Sequence, residues 1–198
     1  EGAACDVFIS AAQKQMDQLD ASKDKTANPE QLDFINSASR MDLLENKVVL
    51  VVPENNPKNI NSFDDLKSKL ESGDVLMAMG NSDVPVGQYT QKILQYLGLD
   101  EKALADTGKI TYGSNVKEVT TQVSEGAVDC GIIYYTDAYS AGLKIVGEAT
   151  EKMCGKTIYP AAVMKNSEHP EQAQEFLAYL SSDAAAKEFA KVGFAAVA

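Results

Sequence analysis

Histidine and cysteine are scarce in this chain, and basic residues are in deficit. One histidine, His169, and three cysteines, Cys5, Cys130 and Cys154, are spread over 198 residues. No pair of them has metal-ligand spacing, which argues against a Cys/His zinc centre. An odd cysteine count says little about pairing. Cys5 and Cys130 lie in apolar, strand-like runs, where a buried free thiol is the ordinary state. Cys154, in KMCGK, reads as a loop residue. A Cys130–Cys154 disulfide is open to an extracytoplasmic protein but is not the expected state. Lysine and arginine total 18 against 29 aspartate and glutamate, a net charge of −11. That balance argues against nucleic acid and anionic membrane surfaces as partners. Long apolar runs are lacking too: Val48 to Val52 falls far short of the ~20 residues that span a bilayer. No charged, apolar and small-residue succession at the start reads as a signal peptide. The first residue is Glu1 rather than methionine, which raises the expectation of processing or truncation.

What is present is enough apolar material for a core. At 44% apolar over 198 residues, the chain suits one large domain or two small ones and is no disordered acidic tail. Asp6 to Ser10 (DVFIS) predicts a short buried strand, followed by a helix from Gln13 to Leu19. Ala21 to Glu30 is polar and reads as an exposed loop. Lys47 to Val52 (KVVLVV) is a continuous β-branched strand stopped by Pro53. The turn-rich stretch to Asn61 then suggests a domain crossing. Ser62-Phe63-Asp64-Asp65 opens a helix with a capping-box variant. Val75 to Met79 predicts the next strand.

Further strands are expected at Lys109 to Tyr112, Val128 to Tyr135 and Leu143 to Val146. A polar helix or turn is expected at Asp100 to Ala105, and a helix from Val116 to Ser124 that stops at Glu125-Gly126. Thr157 to Lys165 resembles Lys47 to Val52, and the pair is expected to cross between domains. Two helices follow, Pro170 to Leu180 and Asp183 to Val192, the second closed by Gly193. This alternation predicts an α/β protein with mostly parallel sheets.

The stretch that organises the rest is Asn81 to Leu97, NSDVPVGQYTQKILQYL. Ile93, Leu94 and Leu97 form an apolar stripe at helical spacing, with Tyr89 and Tyr96 near its edges. Pro85 suits the first helical position, where its missing N–H costs nothing. The backbone N–H groups of Val86 and Gly87 then point out of the helix end, and Gly87 has no side chain to block an approaching group. Such an end attracts anions through unpaired donors and the positive end of the helix dipole.

In open α/β sheets, ligands sit beyond the carboxyl ends of strands. A second such end is Tyr112-Gly113-Ser114-Asn115-Val116, where Asn115 and Glu118 form a capping pattern that leaves the Val116 N–H outward. The third is the end of GIIYY, where Tyr134 can turn its hydroxyl into the same crevice. Taken singly, each has a plainer reading: a Pro-started helix, a capped helix, a packed tyrosine. Together they make a site of neutral donors suited to a small, fully ionised oxyanion.

GAACDVFISAAQKQMD, NKVVLVVP, DVPVGQYTQKIL, GSNVKEV, DCGIIYYTDA, IYPAAVMK and SSDAAAKEFAKVGF, in that order, resemble the periplasmic molybdate-binding proteins of ABC transporters. The resemblance implies a two-lobed type II binding-protein fold: residues 1–53 and 158–198 as a discontinuous first lobe, and 54–157 as a continuous second. It implies an extracytoplasmic protein that needs no cofactor and passes molybdate or tungstate to a membrane permease. Residue by residue, it implies donors at the Val86 N–H, the Val116 N–H and the Tyr134 hydroxyl, with valine at position 86 where alanine is common.

The front departs from the pattern. The family's first strand and two serine-bearing turns, about 50 residues in a βα arrangement, have no counterpart here. A first lobe short of central strands is expected to dimerise, exchange strands or be weakly ordered. Loss of the serine contacts is expected to weaken oxyanion binding.

Three rival readings remain. One is a binding protein for sulfate or another tetrahedral anion. Another is a small lyase or dehydratase, which needs a general acid or base. Asp83 and Asp137 lie near strand ends but read as helix-start residues, and His169 sits in a polar turn. The third is the sensing domain of a transcription regulator, for which the DNA-binding segment is missing.

Overall fold

The structure, a computed structural model, describes residues 4–197. Contacts divide it into two units. Unit 1 holds the described residues up to Asn46 and those from Thr157 onward, and unit 2 is Lys47–Lys156. Unit 1 begins with β1 (Val7–Ile9), α1 (Gln13–Asp17) and β2 (Met41–Asn46). Unit 2 starts with β3 (Val48–Val52), α2 (Phe63–Ser72), β4 (Met77–Gly80), α3 (Pro85–Leu97), α4 (Glu101–Asp106) and β5 (Ile110–Gly113). It continues with α5 (Val116–Ser124), β6 (Cys130–Tyr134), α6 (Tyr135–Ala141), β7 (Lys144–Glu148) and α7 (Glu151–Cys154). The chain then returns to unit 1 for β8 (Thr157–Val163), α8 (Pro170–Leu180), α9 (Asp183–Lys191) and β9 (Ala195–Ala196).

In unit 2 the strand order is β5-β4-β6-β3-β7. β4 pairs parallel with both β5 and β6, and Gly80 stands opposite Gly113. Helical crossovers through α3, α4 and α5 return the chain to one end each time, as parallel pairing requires. β3 runs antiparallel to β6, with Val48 opposite Tyr134, and β7 runs antiparallel to β3. The chain enters unit 2 at the edge where β6 ends, so its first strand must run the other way. The mostly parallel sheets expected from the sequence are therefore confined to β5-β4-β6.

Side chains alternate across a strand, so β3 feeds two cores. Val49 and Val51 pack with Ala78, Ile133 and the α5 residues Val119 and Val123. Leu50 is fully buried on the opposite face of the strand. Because β3 is paired on both sides, residues 47–53, expected in the first lobe, belong to unit 2, and Thr157 belongs to unit 1. The two apolar strands do not themselves cross; the chain passes between units at Asn46–Lys47 and Lys156–Thr157.

Unit 1 is an antiparallel sheet, β1-β8-β2-β9. Ala161 and Val163 pack with Leu44 and the α8 residues Ala173 and Leu177. Ala162, pointing the other way, packs with Met16 and Ile35. The long polar segment between α1 and β2 is held by Asp20, which is only 1% exposed. Its Oδ1 accepts from the Ser22 N–H at 3.0 Å, the Ser22 hydroxyl at 2.7 Å and the Ser37 hydroxyl at 2.6 Å. Its Oδ2 accepts from Arg40 Nη1 at 2.9 Å. Arg40 also reaches Gln13 Oε1 at 2.6 Å and Asp17 Oδ1 at 2.5 Å. Burial alone pushes the Asp20 carboxyl up, but the hydrogen bonds from Ser37, Ser22 and Arg40 outweigh it and hold it far below the usual carboxylate range.

Among the elements named above, four lie outside the sequence expectations: β2, β9, the helix α6 directly after Tyr134, and α7, in which Cys154 is a buried helical residue rather than a loop residue. Cys5, Cys130 and Cys154 are free thiols. Burial raises the Cys130 and Cys154 thiols above their ordinary values. Among the described residues no helix is long and apolar enough to cross a membrane.

Candidate functional site

Three strand ends of unit 2 open at one edge of its sheet. β4 and β5 end in register at Gly80 and Gly113, and the Asn81 N–H donates to the Gly113 carbonyl at 3.0 Å. β6 runs parallel beside β4 on its other side and ends at Tyr134. Val86, Val116 and Tyr134 therefore follow three adjacent parallel strands, β4, β5 and β6, at their carboxyl ends.

The start of α3 is shaped by its turn. The Asn81 side chain accepts from the Asp83 N–H at 2.9 Å, and the Asn81 carbonyl accepts from the Val84 N–H at 3.1 Å. Val84 is the extended N-cap, Pro85 takes the first helical position, and no side chain caps the end. The first turn thus presents the Val86 and Gly87 N–H groups without a side-chain acceptor, at the positive end of a 13-residue helix.

Gly87 is also required by the backbone beneath it. A Cβ there would lie 2.2 Å from the Asn81 carbonyl oxygen and 2.4 Å from that of Gly80. Its bareness lets the helix rest on the backbone of the preceding turn. The Val86 side chain is fully buried.

At α5, Asn115 is extended and its Oδ1 accepts from the Glu118 N–H at 2.9 Å. The Glu118 carboxylate reaches back to Ser114, accepting from its N–H at 2.6 Å and its hydroxyl at 2.8 Å. The cap takes the third N–H of the helix, so Val116 and Lys117 carry the first two donors.

Tyr134 is both the last residue of β6 and the N-cap of α6, and it is 3% exposed. The Tyr89 ring of α3 meets it edge to face, centroids 6.3 Å apart at 72°. The Tyr89 hydroxyl donates to the Lys156 carbonyl at 3.4 Å, and Lys92 Nζ lies 5.3 Å from the Tyr89 ring centre. Tyr89 was read from the sequence only as an edge of the apolar stripe. The 6.3 Å contact spans 45 positions, which no local pattern can register.

The acids weighed for catalysis sit apart in role. Asp137 lies in the first turn of α6, and burial raises its carboxyl above the ordinary range. Asp83 lies in the turn before α3. His169 belongs to unit 1, where it precedes α8. Among the described residues, no three His, Cys, Asp or Glu gather in a way that holds a metal ion.

The family described as bacterial extracellular solute-binding protein matches residues 1–195. YvgL of Bacillus subtilis (strain 168), named provisionally as an ABC transporter substrate-binding lipoprotein, is 36% identical over 197 residues, 99% of this chain and 69% of that one. The molybdate-binding protein ModA of Escherichia coli (strain K12) is 32% identical over 198 residues, 98% of this chain and 71% of that one. The solved periplasmic molybdate-binding protein of Azotobacter vinelandii aligns at a TM-score of 0.80 and 20% identity, covering 100% of this chain and 80% of that one, a likeness of fold. Two others bear on the rival readings. The sulfate-binding protein SubI from Mycobacterium tuberculosis H37Rv shares the fold at a TM-score of 0.72 and 20% identity, over 100% of this chain and 70% of that one. An aconitate isomerase from a Pseudomonas species is 30% identical over 152 residues, 75% of this chain and 55% of that one.

Proposed function

This chain belongs to the family of bacterial extracellular solute-binding proteins, and we propose that the solute it takes is molybdate. The family is one of transport-associated binding proteins, and the fold is the two-lobed α/β architecture of periplasmic binding proteins. Its place of work is outside the cytoplasm, where it hands the solute to the permease of an ABC transporter. The proposed donors are the N–H groups of Val86 and Val116 and the hydroxyl of Tyr134.

The observation that carries this reading is the meeting of three strand ends at one edge. Two of them lead into helix N-termini whose first donors have no side-chain cap, and the third ends in a tyrosine. None of the three donors bears a charge. Backbone amides cannot lose a proton near neutral pH, and they reward an acceptor that never carries a proton. A dianion with oxygens on all sides meets that condition, and the helix dipoles add attraction without a counter-ion. A phosphate, which carries a proton near neutrality, presents a donor to a site made of donors. Tungstate, of the same charge and shape class, is expected to bind as well.

Isothermal titration of the purified chain with molybdate, tungstate, sulfate and phosphate tests this. Saturable heat with molybdate and tungstate, and little with phosphate, is the expected result. Tighter binding of sulfate than molybdate replaces the proposed solute with the smaller anion. The same titration measures whether affinity is weakened, as the sequence reading expects. The comparisons lend no support to the expected dimer or strand exchange.

A further inference from the structure

The turn between β5 and α5 is tied more tightly than an N-cap requires. Asn115 already supplies the cap, by accepting from the Glu118 N–H at 2.9 Å. Glu118 then reaches back past it, taking the Ser114 N–H at 2.6 Å and the Ser114 hydroxyl at 2.8 Å. Ser114 and Val116 flank the cap residue, so these bonds close a ring around the backbone that orients the Val116 N–H. Gly113 closes the other side. A Cβ there would stand 2.9 Å from Val119 Cγ2, 3.0 Å from the Asn115 carbonyl oxygen and 3.2 Å from Glu118 Cβ.

We propose that Glu118 is a positioning residue for solute binding, holding Ser114 with both carboxylate oxygens so that Val116 presents its N–H in a fixed direction. The inference rests on the reading of Val116 as a donor to the oxyanion. Its physical content is pre-organisation: a turn ordered before the solute arrives loses no freedom when it binds, and a loose turn must be ordered at the expense of affinity. Carboxylate-to-amide and carboxylate-to-hydroxyl bonds are the stronger, charge-assisted type. The Ser114 bonds also pull the Glu118 carboxyl below its ordinary value, so the hold persists across the neutral range. Glu118 is exposed and lies outside the apolar core. Its removal is therefore expected to leave unfolding nearly unchanged.

Two variants test the proposal, each assayed by molybdate calorimetry and by thermal unfolding without solute. Glu118→Ala is expected to bind molybdate about tenfold more weakly while its melting temperature moves by no more than about 2 °C. Glu118→Gln keeps one acceptor for Ser114 and is expected to recover most of that loss. Wild-type affinity in Glu118→Ala overturns the inference, as does tighter binding, which would make the carboxylate a repulsive neighbour of the dianion. Equal weakness in both variants overturns it as well, because charge rather than the hold would then be the cause. Failure of the wild-type chain to bind molybdate at all overturns the solute reading and this inference with it. A wild-type chain that binds, beside an unaffected Glu118→Ala, overturns the inference alone.

Discussion

Unit 2 and unit 1 solve opposite electrostatic problems. In unit 2 three parallel strands end at one sheet edge, two of them leading to helix starts whose Val86 and Val116 amides have no side-chain cap and the third ending in Tyr134. Unit 1 buries a full negative charge at Asp20 and saturates it with Ser22, Ser37 and Arg40, the only arginine in the chain. In unit 1 the donors of Ser22, Ser37 and Arg40 are spent on a fixed carboxylate and hold structure; backbone amides at a helix start with no side-chain acceptor can serve a passing anion. On the proposed reading, an acidic protein receives a dianion through oriented peptide dipoles, while its arginine is committed elsewhere.

The largest expected effect breaks the unit 1 side of the comparison. Asp20→Ala leaves Arg40, 14% exposed at its side chain, with Asp17 as its remaining carboxylate beside the Gln13 amide oxygen and strands the Ser22 and Ser37 donors. Removing one partner of such a pair is expected to lower unfolding stability by about 3–5 kcal/mol, read by urea denaturation. A loss under 1 kcal/mol would show the network to be ornamental.

Next comes the unit 2 side. Tyr134→Phe keeps the ring packing against Tyr89 and deletes one proposed donor. A hydrogen bond to a charged acceptor is worth about 1.5–3 kcal/mol, so molybdate affinity is expected to fall about tenfold or more, read by calorimetry. Unchanged affinity would remove Tyr134 from the site.

The smallest effect separates the units by pH. The Asp20 carboxyl is depressed in the folded state, so its stabilising contribution is complete above the unfolded carboxylate value of about 4 and is lost as pH falls toward the folded one. Stability is expected to decline below about pH 4 at no more than about 1.4 kcal/mol per pH unit from this group. Asp20→Ala should flatten that part of the profile. An identical acid slope in wild type and variant would assign the decline to other carboxylates.

Much of the local structure was legible in the residues. Val116 to Ser124 is the helix expected, because Asn115, Glu118 and Gly126 are start and stop signals that act within a few residues. Val48 to Val52 is the strand expected, since an unbroken β-branched run has few other places to go. α6 escaped notice because Tyr135 to Ala141 is only seven residues long and opens on aromatic rather than capping residues. Strand direction escaped too. Strand–helix alternation suggests parallel sheets, but direction depends on which edge the chain enters from, and that depends on the unit boundary. Gly87 was noticed for its lack of a side chain, but its close approach to the Gly80 and Asn81 carbonyls became visible only in the structure.

By itself, the sequence determined where the capped and proline-started helices begin, that Val48–Val52 is a buried strand and which amides are left over at two helix starts. Those properties are settled by residues within about one turn of each other, through capping, fixed proline geometry and apolar periodicity. Only the tertiary structure decided that β4, β5 and β6 lie side by side with their ends level, that Tyr89 backs Tyr134, and that Asp20 meets Arg40. Each of those depends on the pairing of strands or loops far apart in the chain, where long-range hydrogen bonds and burial select the partner and no local pattern records the choice.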